Sequence, residues 1–92
     1  MKTENLIKRL KREGFKVVDL SREIKDFITG ETSLRKEYSV KGGKYGVHWY
    51  DQDGEAICVQ VKRNNDRNDI QSDYFAGWFA DTIKEVIADL KK

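Results

Sequence analysis

The feature that most constrains the fold of this chain is an alternation of apolar and polar residues across its middle, broken twice by glycine-containing turns. Alternation of this kind is typical of strands that bury one face. The pair Gly42-Gly43 suits a two-residue hairpin loop, and Gln52-Asp53-Gly54 suits a three-residue loop that ends in the left-handed region. The pattern therefore predicts a three-stranded antiparallel meander, with strands at 34–41, 45–51 and 56–63.

These two loops set a register that the side chains support. In that register Tyr38 faces Val47 on the neighbouring strand, and Trp49 faces Ile57 on the next one. Because a slip by one residue would turn every side chain to the other face, the apolar pairings favour this alignment. The predicted buried face consists of Val47, Trp49, Ile57, Val59 and Val61.

Apolar residues recur at helical spacing on both sides of the predicted meander. Residues 4–13 carry an apolar stripe, and Gly14 suits the left-handed position just beyond a helix end. A longer stripe in residues 73–90 predicts a final helix that packs across the sheet. This helix should contribute strongly to stability, because burial of each large apolar side chain contributes about 1.5–3 kcal/mol.

The segment between the first helix and the meander has a weaker pattern. Ser21 can cap a short helix over residues 22–29, and Gly30 can end it. Whether Phe15–Val18 forms a strand stays open. Together the elements predict a single α+β domain over residues 1–92, in the order α-α-β-β-β-α, with the helices packed on one face of the sheet.

Composition narrows the classes of protein to which the chain can belong. Of its 92 residues, 38% are hydrophobic and 37% are charged, which suits one small soluble domain. The net charge of +2 does not demand a polyanionic partner, and a single cysteine cannot form an internal disulfide. No apolar run approaches the roughly 20 residues of a membrane span. We therefore expect a cytoplasmic protein that makes no membrane contact and carries no cofactor.

The only histidine and the only cysteine fall on the outward face of the predicted meander. The register puts Glu37 opposite His48 and His48 opposite Cys58, as an acid, an imidazole and a thiol in adjacent strands. These residue types in this order could serve nucleophilic catalysis. A flat sheet, however, supplies neither a pocket nor an oxyanion-binding helix end, and one ligand of each type is a poor zinc signature. We therefore predict a structural row, with no catalytic residue, no metal ligand and no enzymatic activity.

The same outward face carries side chains suited to binding. Arg35 falls opposite Tyr50 and close to His48, and Lys41 and Lys62 lie at the rim. A tyrosine beside an arginine on a shallow, mildly basic sheet suits recognition of a protein or of a nucleic acid strand. A merely solvated antiparallel face has much the same sequence, and that alternative stays open.

The first helix supplies a second candidate, its basic flank of Lys8, Arg9, Lys11 and Arg12. Such a run can contact phosphates, although a basic helix face is more often simply solvated. The predicted order of elements resembles that of double-stranded-RNA-binding domains, in which lysines open the last helix. Here the corresponding segment, SDYFAGWFAD, has two acidic residues and no lysine. A nucleic-acid-binding module is therefore the second prediction for the function.

The segment EYSVKGGKYGVHWYDQDG carries a resemblance to a known family. Its Tyr38-Ser39-Val40-Lys41 strand, its Val47 and Trp49, and its turn at Gly54 resemble the twenty-ninth of the large polyvalent protein-associated domains of phages and conjugative elements. In size and order of elements the chain is also similar to some anti-CRISPR inhibitors. The resemblance implies a small non-enzymatic protein of mobile elements that binds another protein. As an accessory or counter-defence factor, of anti-CRISPR or anti-restriction type, it would have a host defence nuclease among its expected partners.

Overall fold

A computed structural model describes residues 1–63 and 77–92 of the chain. Within these residues it is an α+β protein with an antiparallel sheet, as expected from the sequence, but the predicted order α-α-β-β-β-α is wrong. In the described residues, six strands lie between a first and a last helix. The elements are α1 Thr3–Arg12, β1 Val17–Asp19, β2 Arg22–Lys25, β3 Thr32–Lys41, β4 Tyr45–Gln52, β5 Glu55–Arg63, β6 Trp78–Phe79 and α2 Ile83–Leu90.

The sheet has the strand order β1-β3-β4-β5-β6, and β2 also pairs with β3. Val17 of β1 lies opposite Val40, and Arg22 of β2 lies opposite Arg35, so β1 and β2 continue one register along the same edge of β3. Between them, the Leu20 N–H donates to the Glu37 carbonyl at 2.8 Å. The strand question left open at residues 15–18 is thereby answered, because β1 begins at Val17.

The helix predicted over residues 22–29 is wrong. Residues 22–25 form β2, and residues 26–31 form the turn of a hairpin with β3, in which Gly30 has a φ of +74°. The Asp26 N–H donates to the Glu31 carbonyl at 2.8 Å, which closes the turn. β3 starts at Thr32, earlier than predicted, so its backbone can form hydrogen bonds with residues 22–25. These hydrogen bonds favour an extended strand more strongly than the short apolar pattern favours a helix.

Both helices cover the inner face of the sheet. The buried residues come from α1, from the inward positions of β3, β4 and β5, and from α2, and Trp49 is completely buried among them. They form a single cluster: Leu6, Leu10, Val40, Val47, Trp49, Val59, Val61, Ala80, Val86, Ile87 and Leu90. The predicted inner face is confirmed except for Ile57, which is 36% exposed.

The register between β3 and β4 differs from the predicted one by two residues. Tyr38 lies opposite Trp49, and Val40 lies opposite Val47. The Gly42 N–H donates to the Tyr45 carbonyl at 2.9 Å, so the chain turns later than expected. A shift of two residues preserves the face on which each side chain lies, which is why the inward residues were still identified correctly.

The loop between β4 and β5 has two residues, one fewer than predicted, and the hairpin contains a bulge. Asp53 and Gly54 both have positive φ, +53° and +86°, as a two-residue primed turn requires. Further along, Cys58 has a φ of +51° and forms, with Val59, a bulge opposite Trp49. Because the bulge inserts one residue, Ile57 on its far side faces outward.

The first helix agrees with its prediction within one residue at each end. Gly14 has a φ of +89°, and the Phe15 N–H donates to the Leu10 carbonyl at 2.9 Å, as in a Schellman motif. The predicted final helix over 73–90 is only partly correct. Residues 73–76 lie outside the described residues, residues 78–79 form β6, and the helix begins at Ile83 after a Thr82 cap.

Candidate functional site

The surface opposite the helices is formed by three rows of side chains, which we call the outer face. The rows are Glu37, Tyr50 and Ile57; Ser39, His48 and Gln60; and Lys41, Gly46 and Lys62. Four of the five predicted binding residues lie in these rows. Arg35 was predicted opposite Tyr50, but it lies opposite Arg22, and Glu37 is the direct partner of Tyr50. The five residues form two groups. Arg35, His48 and Tyr50 cluster at one end, whereas Lys41 and Lys62 flank Gly46 at the other end.

The pair Glu37 and His48 forms the polar centre of the outer face. Glu37 Oε1 and His48 Nε2 are 2.5 Å apart, and the side chains are 14% and 22% exposed. The predicted contact is therefore present, although the two residues lie diagonally and Ser39 is the direct partner of His48. The Tyr50 ring lies edge-on to the imidazole, with 4.9 Å between ring centroids. This packing holds the imidazole in one orientation.

Arg35 and Tyr50 form the second contact of the cluster. The Arg35 guanidinium carbon lies 5.3 Å from the centroid of the Tyr50 ring, within the range of a cation–π interaction. Tyr50 is half-buried rather than fully exposed, since it packs between this guanidinium and His48. Arg35 itself is exposed.

The predicted row of an acid, an imidazole and a thiol is not formed. Opposite His48 the structure places Gln60, because the bulge displaces Cys58 from the predicted register. Within residues 1–63 and 77–92, no three His, Cys, Asp or Glu side chains are grouped so that they could hold a metal ion.

Beyond the end of β4, the hairpin of β2 and β3 continues as a two-stranded ribbon, which we call the hairpin arm (residues 22–35). Its β3 residues pair only with β2, because the last pair between β3 and β4 is Lys36 and Asp51. At its tip Phe27 is 98% exposed and Ile28 is 95% exposed. The sequence analysis placed these two residues in the short helix predicted over residues 22–29. Asp26, Thr29 and Gly30, residue types that favour turns, were the sign of a hairpin.

The turn of the hairpin arm is held by its own side chains. Asp26 Oδ1 accepts hydrogen bonds from the backbone N–H groups of Ile28, at 2.8 Å, and Thr29, at 3.4 Å. Thr29 Oγ1 accepts a hydrogen bond from the Glu31 N–H at 3.3 Å. The two backbone donors lower the pKa of the Asp26 carboxyl below its ordinary value, since they stabilise its charged form. The turn therefore holds Phe27 and Ile28 at a defined tip.

A hollow of about 540 Å³ lies where the hairpin arm meets the outer face. Apolar side chains of the arm and the sheet contribute to it, together with the Arg35 and Tyr50 pair. Its lining is Ile24, Ser33, Leu34, Arg35, Lys36, Tyr50, Asp51, Gln52, Ile57 and Cys58. Leu34 is 61% exposed, so the hollow carries apolar surface that the protein itself does not cover.

The predicted basic flank of α1 faces a second hollow, of about 540 Å³, which we call the basic groove. It lies between the two helices and is lined by Asn5, Lys8, Arg9, Arg12, Ile83 and Lys84. Three of the four predicted cations are thus brought together, and Lys84 of α2 joins them. Lys11 is not part of this lining.

Comparisons with protein-family models, with curated proteins and with solved structures found no match. The resemblance carried by the Tyr38 to Lys41 strand therefore stays a prediction. Neither helix in the described residues has the length and apolar character needed to cross a bilayer.

Proposed function

We propose that this protein is a small non-enzymatic binding protein, and that the hairpin arm and the adjoining end of the outer face dock on another protein. Following the resemblance to domains of phages and conjugative elements, we assign it an accessory or counter-defence role. In the counter-defence role its partner is a host defence nuclease.

The observation that carries the proposal is the exposure of Phe27 and Ile28 at the tip of the hairpin arm. Burial of one such side chain against a partner contributes about 1.5–3 kcal/mol. Exposed apolar clusters of this kind mark sites of protein interaction more often than chance would give. Since neither side chain contacts the core cluster, its apolar character is not needed for folding.

The base of the hairpin arm supplies the features that a protein interface needs beside its apolar tip. The hollow there contains Tyr50 and Arg35, two residue types that often dominate binding energies. Leu34 and Ile57 add apolar surface to the same hollow. A partner that follows the arm from its tip to its base would therefore bury one continuous patch.

The charges at the tip favour a protein over an anionic membrane as the partner. Asp26 and Glu31 flank Phe27 and Ile28 and outnumber the neighbouring cation Lys25, and all three charged side chains are exposed. The hydrogen bonds that Asp26 accepts from the turn stabilise its negative charge. Anionic headgroups would repel these two charges, whereas a protein pocket with basic side chains at its rim would attract them.

The non-enzymatic part of the proposal rests on the geometry at Cys58. Nucleophilic catalysis by this thiol requires a base within hydrogen-bond reach. The bulge gives Gln60, rather than Cys58, the position opposite His48, and the imidazole is engaged by Glu37.

Recovery of partners by the tagged protein tests the proposal. We expect the wild-type protein to retain a partner that the variant Phe27→Ser/Ile28→Ser loses, because that variant removes the apolar tip. Phe79→Ser is the matched control, since Phe79 is also exposed, at 66%, but lies on the opposite edge strand β6. The recovered protein is then purified and its affinity is measured for all three forms. Equal affinity for the wild type and the tip variant would remove the proposal.

A further inference from the structure

The basic groove differs from the other hollows of the described residues in the charge of its lining. Four of its six lining residues are cations, Lys8, Arg9 and Arg12 from α1 and Lys84 from α2, and within the described chain no carboxylate lines it. The hollow beside the start of α1 also has three lysines, but it is lined by Glu4, Asp51, Asp53 and Glu55 as well. The positive charge of the basic groove is therefore not balanced within its own described lining, as it is in the hollow beside the start of α1.

The ion pairs of the described residues leave two of these cations available. Lys8 pairs with Glu4 at 3.1 Å and Arg9 pairs with Glu13 at 3.2 Å, both along α1. Such pairs on an exposed helix are weak, so a ligand with a stronger charge can displace them. Arg12 and Lys84 make no ion pair with any residue in 1–63 or 77–92.

The arginine and lysine side chains of the lining favour a ligand that carries phosphate groups. Arginine offers planar, paired donors that match phosphate oxygens, and lysine adds a compact charge. Lys84 lies in the first turn of α2, next to Glu85, whose carboxylate accepts a hydrogen bond from the Asp81 N–H and does not line the groove. The lining contains no aromatic ring, so it has no platform on which bases could stack.

We propose that the basic groove binds the phosphodiester backbone of a nucleic acid, without reading its bases. Among the described residues, Ile83 is the one large apolar residue that lines the groove, and it is half-buried, so the groove offers little apolar area to the core of a protein interface. For the same reason a bilayer would gain little from contact with it. Repeated phosphates along a strand suit a row of cations that crosses from one helix to the other.

This site is independent of the proposed protein-binding surface. The groove lies between the helices that cover the inner face of the sheet, whereas the hairpin arm adjoins the outer face. Loss of one function therefore leaves the other intact, and the two proposals can fail separately.

The test measures binding of a fluorescent duplex of about 16 base pairs, a length that a small domain can cover. We expect binding at low salt that weakens by roughly tenfold or more between about 50 mM and about 200 mM salt. Binding releases counterions from the phosphates, and the free energy gained by their release falls as the salt concentration rises. Arg12→Gln and Lys84→Gln should each weaken binding by about three- to tenfold and reduce the salt slope by about one.

Lys11→Gln is the matched control, because it removes the same charge from the last turn of α1 outside the groove lining. It should change the affinity by less than about twofold. Undetectable binding at low salt would overturn the proposal, as would an equal loss in Lys11→Gln and Arg12→Gln. Polyglutamate and phosphatidylserine vesicles serve as competing polyanions. Equal binding of either one, with the same dependence on Arg12 and Lys84, would overturn the assignment to nucleic acid.

Discussion

The body of the protein and its hairpin arm use apolar residues in opposite ways. In the body, residues of β3, β4 and β5 pack against α1 and α2, and side chains such as Trp49 and Val61 are fully buried. In the arm, β2 and the first half of β3 pair only with each other, and Phe27 and Ile28 are almost fully exposed. The body therefore contains the core that stabilises the fold, whereas the arm leaves its apolar tip exposed to solvent.

Substitutions in the body and the arm should separate stability from binding. Changes at buried or tightly packed positions of the body should lower the free energy of unfolding. Changes at the arm tip should alter binding alone, because the lost side chains make no contact with the core cluster.

The largest expected effect is at Trp49. Trp49→Ala should lower the free energy of unfolding by about 3–5 kcal/mol, because it empties the centre of the core. Chemical denaturation measures the change. Trp49→Phe should cost clearly less, since the indole N–H has no hydrogen-bond partner among the described residues and its removal leaves no acceptor unpaired. An equal cost for both variants would contradict the packing described.

The second effect is at the turn between β3 and β4, where the body approaches α2. A Cβ added at Gly42 would lie 2.6 Å from the Tyr45 carbonyl oxygen and 2.7 Å from the Leu90 carbonyl oxygen. We expect Gly42→Ala to destabilise the protein by about 1–3 kcal/mol, because backbone atoms cannot move away cheaply. Gly43→Ala is the control, since its nearest contact is an ordinary 3.4 Å. In thermal unfolding, Gly42→Ala should therefore have a lower melting temperature than Gly43→Ala.

A smaller effect is expected at the bulge that displaces Cys58. Its φ of +51° strains a residue with a side chain, by about 1–2 kcal/mol. Cys58→Gly relieves this strain but loses some of the gain to the entropy of the unfolded chain, so we expect a net stabilisation of up to about 1 kcal/mol. Cys58→Val should destabilise, because a β-branched residue tolerates this region poorly. Equal stability of Cys58→Val and Cys58→Gly would contradict a positive φ at Cys58 and therefore the bulge at this position.

The smallest effect concerns the pH dependence of the arm tip. The pKa of Asp26 is lowered in the folded arm, since Ile28 and Thr29 donate to the carboxylate. The ionised Asp26 carboxylate therefore stabilises the folded arm at pH values above the ordinary pKa of an aspartate. This stabilisation is lost as the pH falls through the lowered pKa. Amide resonances of Ile28 and Thr29 should shift in that acidic range. In Asp26→Asn these shifts should disappear, and their persistence would show that another group causes them.

The sequence predicted those parts of the fold that depend on the alternation of side chains between the two faces of a strand. Apart from Ile57, the inward residues of β4 and β5 were predicted correctly, because a register error of two residues does not change the face of a side chain. The contacts of His48 with Glu37 and of Arg35 with Tyr50 were found for the same reason. Long side chains on one face reach diagonal neighbours as well as direct ones.

The parts that failed depend on the backbone and on distant residues. Nothing in the pattern shows that Cys58 adopts a positive φ, so the bulge and the outward turn of Ile57 were missed. Residues 22–29 have a helical spacing of apolar residues, and only the ladder offered by β3 makes them a hairpin. Lys84 joins the basic groove across the packing of two helices, which no local pattern predicts.

The central claim is that the hairpin arm binds a partner and that the body does not need the arm to fold. Arg22 and Arg35 are direct partners, so residues 23–34 can be replaced by an Asn-Gly turn that closes the same register. The decisive measurement is a calorimetric titration of the purified partner with this shortened protein, taken with its unfolding curve. We predict cooperative unfolding within about 1 kcal/mol of the wild type and no detectable binding. Binding as tight as that of the wild type would contradict the claim.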